Sequence, residues 1–256
     1  FAPPTVWIAF LRHPAFAPAR LASLQKGYYG ASIMPVPVLQ ELAARLPALQ
    51  LYNCYGQSEI APLATVLRPE EHAERPASAG RPIFNVETRI VDSDLNDVPA
   101  GEMGEIVHRS PQLMSGYWDK PEETAASFRD GWFRSGDVGY LDEAGYLYIT
   151  DRIKDIIKTG GVVVASREVE ECLYTHPAVA EVAVIGLPDE RWIEAVTAVV
   201  ALKQGAQATA AELIAHVHAR LAAFKVPKRV FFVEDMPRNA SGKLLKRELR
   251  VRYAET

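Results

Sequence analysis

The stretch from Gly27 to Glu59, GYYGASIMPVPVLQELAARLPALQLYNCYGQSE, carries the pattern that decides the fold. Apolar residues recur at helical spacing within Pro35–Leu46, at Val38, Leu39, Leu42 and Leu46. Strand-like runs flank this helix at Gly27–Tyr29 and Leu49–Tyr52. A strand, a helix and a strand in this order predict a βαβ unit with a parallel sheet, which binds ligands at the carboxyl ends of its strands.

Two loops follow these strands, Gly30-Ala31-Ser32 and Asn53–Glu59. In the second loop an aromatic ring could stack on a base, and Gly56 could let a substrate approach the backbone. The Ser58 hydroxyl could bond a phosphate, and the Glu59 carboxylate could hold magnesium through an oxygen atom. The same side chains are also typical of a buried ring and an ordinary first-turn carboxylate, so the loop alone does not decide between these interpretations.

The composition is that of a globular protein that forms a core. The 256 residues are 48% apolar and 23% charged, and the formal net charge of −4 gives no basic face for nucleic acid. No apolar run reaches ~18 residues, and Phe1–Thr5 lacks an initiator methionine and a charged leader, so we expect neither a membrane span nor a signal peptide. Cys54 and Cys172 have no scaffold or metal spacing, which favours free thiols and a cytoplasmic location.

The pattern of apolar and turn residues changes twice along the sequence, which predicts three parts: 1–79, 80–150 and 151–256. The first is the parallel α/β part. In the second, short alternating strands predict a small antiparallel β subdomain, and Asp92–Asp97 is expected to be a hairpin turn because it lacks the glycine and glutamate of a calcium loop.

The third part predicts a compact α+β domain. We expect a helix from Ser166, with the serine hydroxyl as its cap, and a second helix after the capping box Thr209-x-x-Glu212. A last strand, Val230–Val233, leads into the loop Pro237–Lys243. An ammonium group on such a loop can bridge two anions, although a lone lysine is more often a solvated surface charge.

Two further stretches bear candidate groups. Gly131–Asp137 offers a carboxylate on a glycine turn, suited to accepting two ribose hydroxyls, although an aspartate in a turn is more often only an Asx cap. Asp151–Gly161 combines Arg152, two lysines and the flexible pair Gly160-Gly161, and by itself could be a charged linker.

Together and in this order, these stretches resemble the second half of the adenylate-forming superfamily, which includes acyl-CoA synthetases, 4-coumarate-CoA ligase, firefly luciferase and peptide-synthetase adenylation domains. The resemblance covers essentially the whole chain. It implies the end of a large adenylation domain followed by a small, mobile C-terminal lid domain. It also implies ATP or AMP, Mg²⁺ and coenzyme A as cofactors and a small carboxylic acid as substrate.

The resemblance assigns roles residue by residue. It implies that Tyr55 stacks on adenine, that Ser58 contacts the AMP phosphate and that Glu59 serves magnesium; beside them, Gly30, Ala31, Ser32 and Gly56 line the adenine site. It further implies that Asp137 binds the ribose, that Arg152 contacts the nucleotide, and that Lys243 engages the substrate carboxylate and the α-phosphate. It also implies that Asp151 is the hinge and that Gly160 and Gly161 line the pantetheine tunnel. The sequence departs from the family at Val162-Val163, where many relatives have a polar Glu-Asn pair.

The family's phosphate-binding loop precedes everything seen here. The resemblance therefore implies a missing N-terminal half of the same enzyme as a partner, and a homo-oligomer is possible. Three functions stay open: an ATP-dependent ligase of fatty or aryl acids to coenzyme A, an adenylation domain that loads a carrier protein, and a non-catalytic module of the same fold. For the acyl group, Tyr28, Tyr29 and Tyr55 could flank a ring or an alkyl chain.

Overall fold

The computed structural model describes residues 1–239 and 244–254. The chain divides into two compact units, Phe1–Ile153 and Lys154–Thr256, each with its own sheets and core. The predicted parts 1–79, 80–150 and 151–256 and the hinge at Asp151 stay predictions.

The first unit begins with an α/β part built on a four-stranded sheet. Its helices are α1 (Pro4–Arg12) and α2 (Val36–Arg45), and its strands are, in spatial order, β1 (Lys26–Gly30), β2 (Gln50–Tyr55), β3 (Thr65–Leu67) and β4 (Arg81–Pro82). β1 and β2 pair in parallel, with Gly30 opposite Cys54, and α2 connects them. The predicted βαβ unit is therefore confirmed.

Helical periodicity explains why α1 and α2 pack on this sheet. Both helices have a proline in the first turn, where the missing N–H costs nothing. Their apolar faces share one core with β1, which includes Trp7, Leu11, Tyr29, Leu39 and Leu42. The helices thus fix β1 and β2, whose carboxyl ends carry the two predicted loops.

A five-stranded antiparallel sheet completes the first unit. It contains β5 (Glu87–Val91), β6 (Gly104–Arg109), β7 (Phe128–Arg129), β8 (Trp132–Leu141) and β9 (Leu147–Arg152), with α3 (Pro121–Ser127) before β7. The Asp92 carboxylate accepts the backbone N–H groups of Asp94 and Asn96, which closes the predicted turn after β5.

The predicted glycine turn at Asp137 is wrong. Asp137 lies inside β8, paired with Arg152 of β9. Gly136, the glycine next to Asp137, does take a left-handed conformation at φ +68°. It lies within the strand, where the ladder changes register between Val138 and Gly139. Cross-strand pairing outweighed the local turn signal.

The second unit is an α+β domain on a five-stranded sheet. Its elements are β10 (Ile157–Thr159), β11 (Val162–Val164), α4 (Ser166–Tyr174), β12 (Val179–Asp189), β13 (Ile193–Leu202), α5 (Ala210–His218), β14 (Arg229–Phe232) and α6 (Lys246–Tyr253). The strand order is β11-β10-β13-β12, and β14 also pairs with β13, in parallel. The predicted α/β plus α+β fold class is confirmed.

Strand β12 is buried on both faces. Val182 and Val184 face a core shared with α4 and α5, whereas Ala183, Ile185 and Leu187 face a second core that includes Leu249 of α6. Alternate side chains of a strand point to opposite faces, so helices on both sides require the continuous apolar run seen in the sequence.

The two predicted helix starts had different outcomes. The capping box is confirmed, because Thr209 Oγ1 accepts the Glu212 N–H while the Glu212 carboxylate accepts the Thr209 N–H. The Ser166 cap is wrong: Ala165 occupies the cap position, and Ser166 is the first helical residue. The Ser166 hydroxyl instead accepts a hydrogen bond from Lys246 Nζ at 2.6 Å.

A methyl group on Gly30 tests the close approach of β1 and β2. A Cβ there would lie 2.2 Å from the Cys54 carbonyl oxygen, a backbone atom that moves only with its strand. We expect Gly30→Ala to lower the free energy of unfolding by about 1–3 kcal/mol, the usual cost of overpacking. Urea unfolding followed by circular dichroism measures the loss.

The neighbouring residue provides the control. Ala31 is exposed and has φ +65°, a conformation that glycine adopts without a Cβ penalty. Ala31→Gly should therefore leave the stability equal or raise it. Similar losses in both variants would contradict the strand-contact argument.

Candidate functional site

The two predicted loops lie at the same edge of the first sheet. Gly30 ends β1 and Tyr55 ends β2, and the parallel register places Gly30 beside Cys54. Ala31 and Ser32 are exposed, as is Ser58, which begins a short 3-10 turn with Glu59 and Ile60. The sequence therefore brings backbone groups, a hydroxyl and a carboxylate to one strand-end region.

Gly56 is required by the protein itself. A Cβ on this residue would lie 1.9 Å from the Pro62 carbonyl oxygen. The predicted approach of a substrate does not explain this glycine, because the side where a Cβ would stand is filled by the turn that follows. Packing of the chain on its own backbone is the sufficient reason.

The Asp137 carboxylate is the centre of a hydrogen-bonded cluster. Its Oδ2 accepts the Tyr55 hydroxyl at 2.8 Å and Gln57 Nε2 at 2.9 Å, and its Oδ1 lies 2.9 Å from Arg152 Nε. Asp137 is only 4% exposed, and its backbone N–H donates to Ser135 Oγ. Three donors compensate a buried charge and fix its orientation.

This cluster joins three of the predicted site residues, Tyr55, Asp137 and Arg152. It also fixes the protonation state of the tyrosine. Burial, reinforced by the negative Asp137, raises the pKa of Tyr55 well above its ordinary value, so the phenol keeps its proton and acts as donor. The hinge candidate Asp151 precedes Arg152 on β9, is 7% exposed, and accepts the Arg152 N–H.

The turn that carries Glu59 is held by a distant segment, Gln112–Tyr117. The Tyr117 hydroxyl donates to Glu59 Oε1 at 2.8 Å, and the Met114 N–H donates to the Glu59 carbonyl oxygen at 2.8 Å. Gln112 Nε2 donates to the carbonyl oxygens of Ile60 and Leu63, at 2.6 and 2.8 Å. Side-chain and backbone atoms of Glu59 are therefore both fixed.

Glu59 suits a magnesium ion that is shared with a nucleotide. Mg²⁺ is usually bound by one or two carboxylates together with substrate phosphates and water. Within residues 1–239 and 244–254, no group of three or more His, Cys, Asp or Glu side chains could form a metal cage. A half-buried carboxylate next to the exposed Ser58 hydroxyl offers the oxygen donors of the shared type of site.

The remaining predicted residues lie in the second unit or outside the described residues. Gly160 and Gly161 form the two-residue turn between β10 and β11, with φ of +56° and +82°, as a tight hairpin of this type requires. After them Val162 and Val163 are 41% and 58% exposed. Lys243, the predicted catalytic lysine, lies outside the described residues.

One candidate for the acyl pocket is wrong. Tyr29 is 1% exposed and belongs to the core of α1 and α2, where its hydroxyl lies 3.0 Å from His72 Nε2. Tyr28 is on the opposite face of β1, 37% exposed, and stacks on Tyr52 with ring centroids 4.9 Å apart. Strand alternation separates two adjacent tyrosines that the sequence placed together.

Sequence reasoning missed one residue of the Asp137 cluster, Gln57, and one residue that holds Glu59, Tyr117. Gln57 stands inside the quoted motif, and its Nε2 also donates to the Ser135 carbonyl oxygen at 2.9 Å. Its polarity directly after β2 was an available signal. Tyr117 lies 58 residues from Glu59 and had no local signal.

Comparison with known proteins identifies the class to which this fold belongs. Residues 1–118 match the family model described as AMP-binding enzyme, and residues 168–243 match the AMP-binding enzyme C-terminal domain. The long-chain-fatty-acid–CoA ligase of Bacillus subtilis (strain 168) is 42% identical over 253 residues, which cover 96% of this chain and 44% of that protein. The chain belongs to the AMP-binding enzyme family, so the predicted resemblance to adenylate-forming enzymes is confirmed.

Two further comparisons agree. The feruloyl-CoA synthase of Amycolatopsis sp is 42% identical over 99% of this chain and 51% of its own. The crystal structure of ATP-bound MatB from Rhodopseudomonas palustris is 33% identical and superimposes with a TM-score of 0.91 over 99% of this chain and 50% of that one. The chain thus spans about half the length of the curated relatives it matches. Over the described ranges, none of the helices is long and apolar enough to cross a membrane.

A buried histidine borders the cluster. His108 of β6 is 1% exposed, and its ring centroid lies 5.9 Å from that of Tyr55. Nδ1 lies 3.0 Å from Thr88 Oγ1, whereas Nε2 has no hydrogen-bond partner in the described part of the chain. Burial lowers the pKa of His108 to about 4, so the imidazole beside Tyr55 is neutral at pH 7.

We expect the stability of the first unit to fall as the pH drops from about 6.5 towards 4. Unfolded His108 binds a proton near its ordinary pKa of about 6.5, whereas the folded residue does so only near pH 4. Between these values the unfolded state binds more protons, so acidification favours unfolding, by about 2 kcal/mol at pH 5. Urea unfolding at pH 7 and pH 5 measures the difference.

The variant His108→Gln isolates this contribution, because its side chain does not titrate. The stability difference between pH 7 and pH 5 should shrink in the variant, while other titrating groups contribute equally to both proteins. An unchanged difference would show that His108 does not resist protonation in the folded state.

Proposed function

We propose that the protein containing this chain is an AMP-forming acid–thiol ligase, which joins a carboxylic acid to coenzyme A at the expense of ATP through an acyl-adenylate. The observation that carries the proposal is the convergence of Tyr55, Gln57 and Arg152 on the buried Asp137 carboxylate at the strand ends. The names of the two relatives, one a fatty-acid ligase and one a feruloyl-CoA synthase, support the reaction class.

The chemistry explains why adenylation comes first. A free carboxylate repels nucleophiles and has a poor leaving group. When a carboxylate oxygen attacks the α-phosphate of ATP, the bond between the α- and β-phosphates breaks and pyrophosphate leaves. The acyl-adenylate that forms has lost the carboxylate charge and carries AMP as a good leaving group. Attack of the thiol then forms the thioester and releases AMP. The negative charge that grows at the α-phosphate needs preorganised cations, and magnesium held at Glu59 would supply one of them by neutralising phosphate oxygens.

The chain's own residues then have definite roles. Tyr55 would bind the adenine with its ring while its hydroxyl stays on Asp137, which would accept ribose hydroxyls. Gly30, Ala31 and Ser32 would line the adenine site beside Gly56. Ser58 would contact the AMP phosphate and Arg152 the nucleotide. Lys243 would bind the substrate carboxylate and the α-phosphate.

The second unit would serve the acceptor step. Gly160 and Gly161 would line the path of the pantetheine arm after rotation about the Asp151 hinge. Val162 and Val163 give this path an apolar entrance, which is supported by their exposure on β11. We place the reaction in the cytoplasm, in keeping with the free thiols of Cys54 and Cys172.

The acid is proposed to be a fatty acid, with an aryl acid as the alternative, since relatives acting on each are equally similar. Acid-dependent exchange of pyrophosphate into ATP tests adenylation, and a screen of aliphatic and hydroxycinnamic acids for thioester formation tests both the acceptor and the acyl group. Absence of nucleotide binding in a titration with AMP would overturn the proposal in favour of a non-catalytic module.

We expect Lys243→Ala to lower adenylation by roughly 10²–10³-fold, the usual effect of removing one charge-stabilising group. Thioester formation from preformed acyl-adenylate should be spared, because the lysine acts only while the α-phosphate reacts. Separate assays of the two half-reactions measure the split.

The control is Lys203→Ala, another lysine of the second unit, whose Nζ donates to the Pro177 carbonyl oxygen at 2.7 Å. It should leave both half-reactions unchanged. Equal loss of the two half-reactions in Lys243→Ala would contradict the role assigned to that lysine.

A further inference from the structure

Glu59 differs from Glu71, another carboxylate in this chain that accepts a tyrosine hydroxyl. Tyr146 donates to Glu71 Oε1 at 2.7 Å, but Glu71 also accepts the Arg68 N–H as part of a capping box and lies near the charge of Arg81. The Glu71 carboxylate therefore has a structural role as a helix cap. In the described residues, by contrast, the Glu59 carboxylate accepts one hydrogen bond, from Tyr117, and forms no ion pair.

The backbone of the Glu59 turn does not need this bond. Gln112 and Met114 already hold the turn through three backbone carbonyl oxygens, those of Glu59, Ile60 and Leu63. The Tyr117 hydroxyl therefore acts on the side chain alone. A glutamate has three side-chain torsions, and a donor at one oxygen selects among its rotamers.

A half-buried carboxylate with a fixed orientation and no cationic partner in the described part of the chain is suited to an external cation. Groups that hydrogen-bond a metal ligand orient it and raise metal affinity without touching the metal. The Tyr117 bond occupies Oε1, which leaves the second oxygen of Glu59 to a ligand.

We propose that Tyr117 is a positioning residue that orients the Glu59 carboxylate toward the magnesium ion of the bound nucleotide. This inference rests on the proposed function, in which Glu59 serves that ion. It adds a residue 58 positions away in sequence, and it assigns to Gln112 and Met114 the separate task of holding the turn.

The test compares Tyr117→Phe with Tyr146→Phe in the protein containing this chain. Each variant removes one hydroxyl and one tyrosine–glutamate hydrogen bond, at 2.8 and 2.7 Å. We expect Tyr117→Phe to raise the Mg²⁺ concentration for half-maximal pyrophosphate exchange by roughly tenfold. The KM for the carboxylic acid should stay unchanged, and Tyr146→Phe should leave the Mg²⁺ dependence unchanged.

A binding measurement supplies a readout besides activity. Mn²⁺ replaces Mg²⁺ and is titrated by electron paramagnetic resonance in the presence of a non-hydrolysable ATP analogue. Tyr117→Phe should weaken Mn²⁺ binding by about the same factor as in the exchange assay. Thermal unfolding of both variants reports any purely structural loss.

The outcomes separate the inference from the proposed function. If Glu59→Gln weakens Mn²⁺ binding and Tyr117→Phe does not, Tyr117 is not a positioning residue, although the proposed role of Glu59 stands. A loss of thermal stability in Tyr117→Phe with unchanged metal dependence has the same meaning. If Glu59→Gln leaves metal binding unchanged, the magnesium role of Glu59 fails, and the inference fails with it.

Discussion

The buried carboxylate of Asp137 is the constraint on which the first unit depends. It stands in the antiparallel sheet, but two of its donors, Tyr55 and Gln57, come from the end of β2 in the parallel part. The third donor, Arg152, comes from the neighbouring strand β9. A charge taken out of water must be compensated, so the antiparallel sheet can bury Asp137 only where Tyr55 and Gln57 supply donors beside Arg152. The same hydrogen bonds and ion pair therefore form the candidate site and join the two sheets of the first unit.

Local periodicity predicted most of the fold. The helix at Val38, Leu39 and Leu42 and the strands beside it follow from spacing alone, because each element buries one face. The predictions at Asp137 and Ser166 were wrong for a common reason. Both predictions used a local signal, a glycine and a serine, whereas pairing with β9 fixes Asp137 and Lys246 binds the Ser166 hydroxyl.

The sequence predicted residues of the candidate site but not the bonds that connect them. Tyr55, Asp137 and Arg152 lie in one hydrogen-bonded cluster, and their roles toward a nucleotide stay predictions. Gln57 and Tyr117 act through bonds that join residues 80 and 58 positions apart. Sequence spacing predicts contacts within one helix or strand, and it does not predict contacts between residues so far apart in the chain. Tyr28 and Tyr29 show the opposite limit, since adjacent letters in the sequence lie on opposite faces of one strand.

The double burial of β12 also has a consequence for dynamics. Helices cover both faces of this strand, and its neighbour β13 pairs with it from Val179 to Asp189. The β12 amide hydrogens that bond to β13 should therefore exchange with deuterium mainly when the second unit opens as a whole. The exchange rate of these β12 amides therefore reports global opening of the second unit. A hydrogen-exchange experiment can measure this opening separately from that of the first unit.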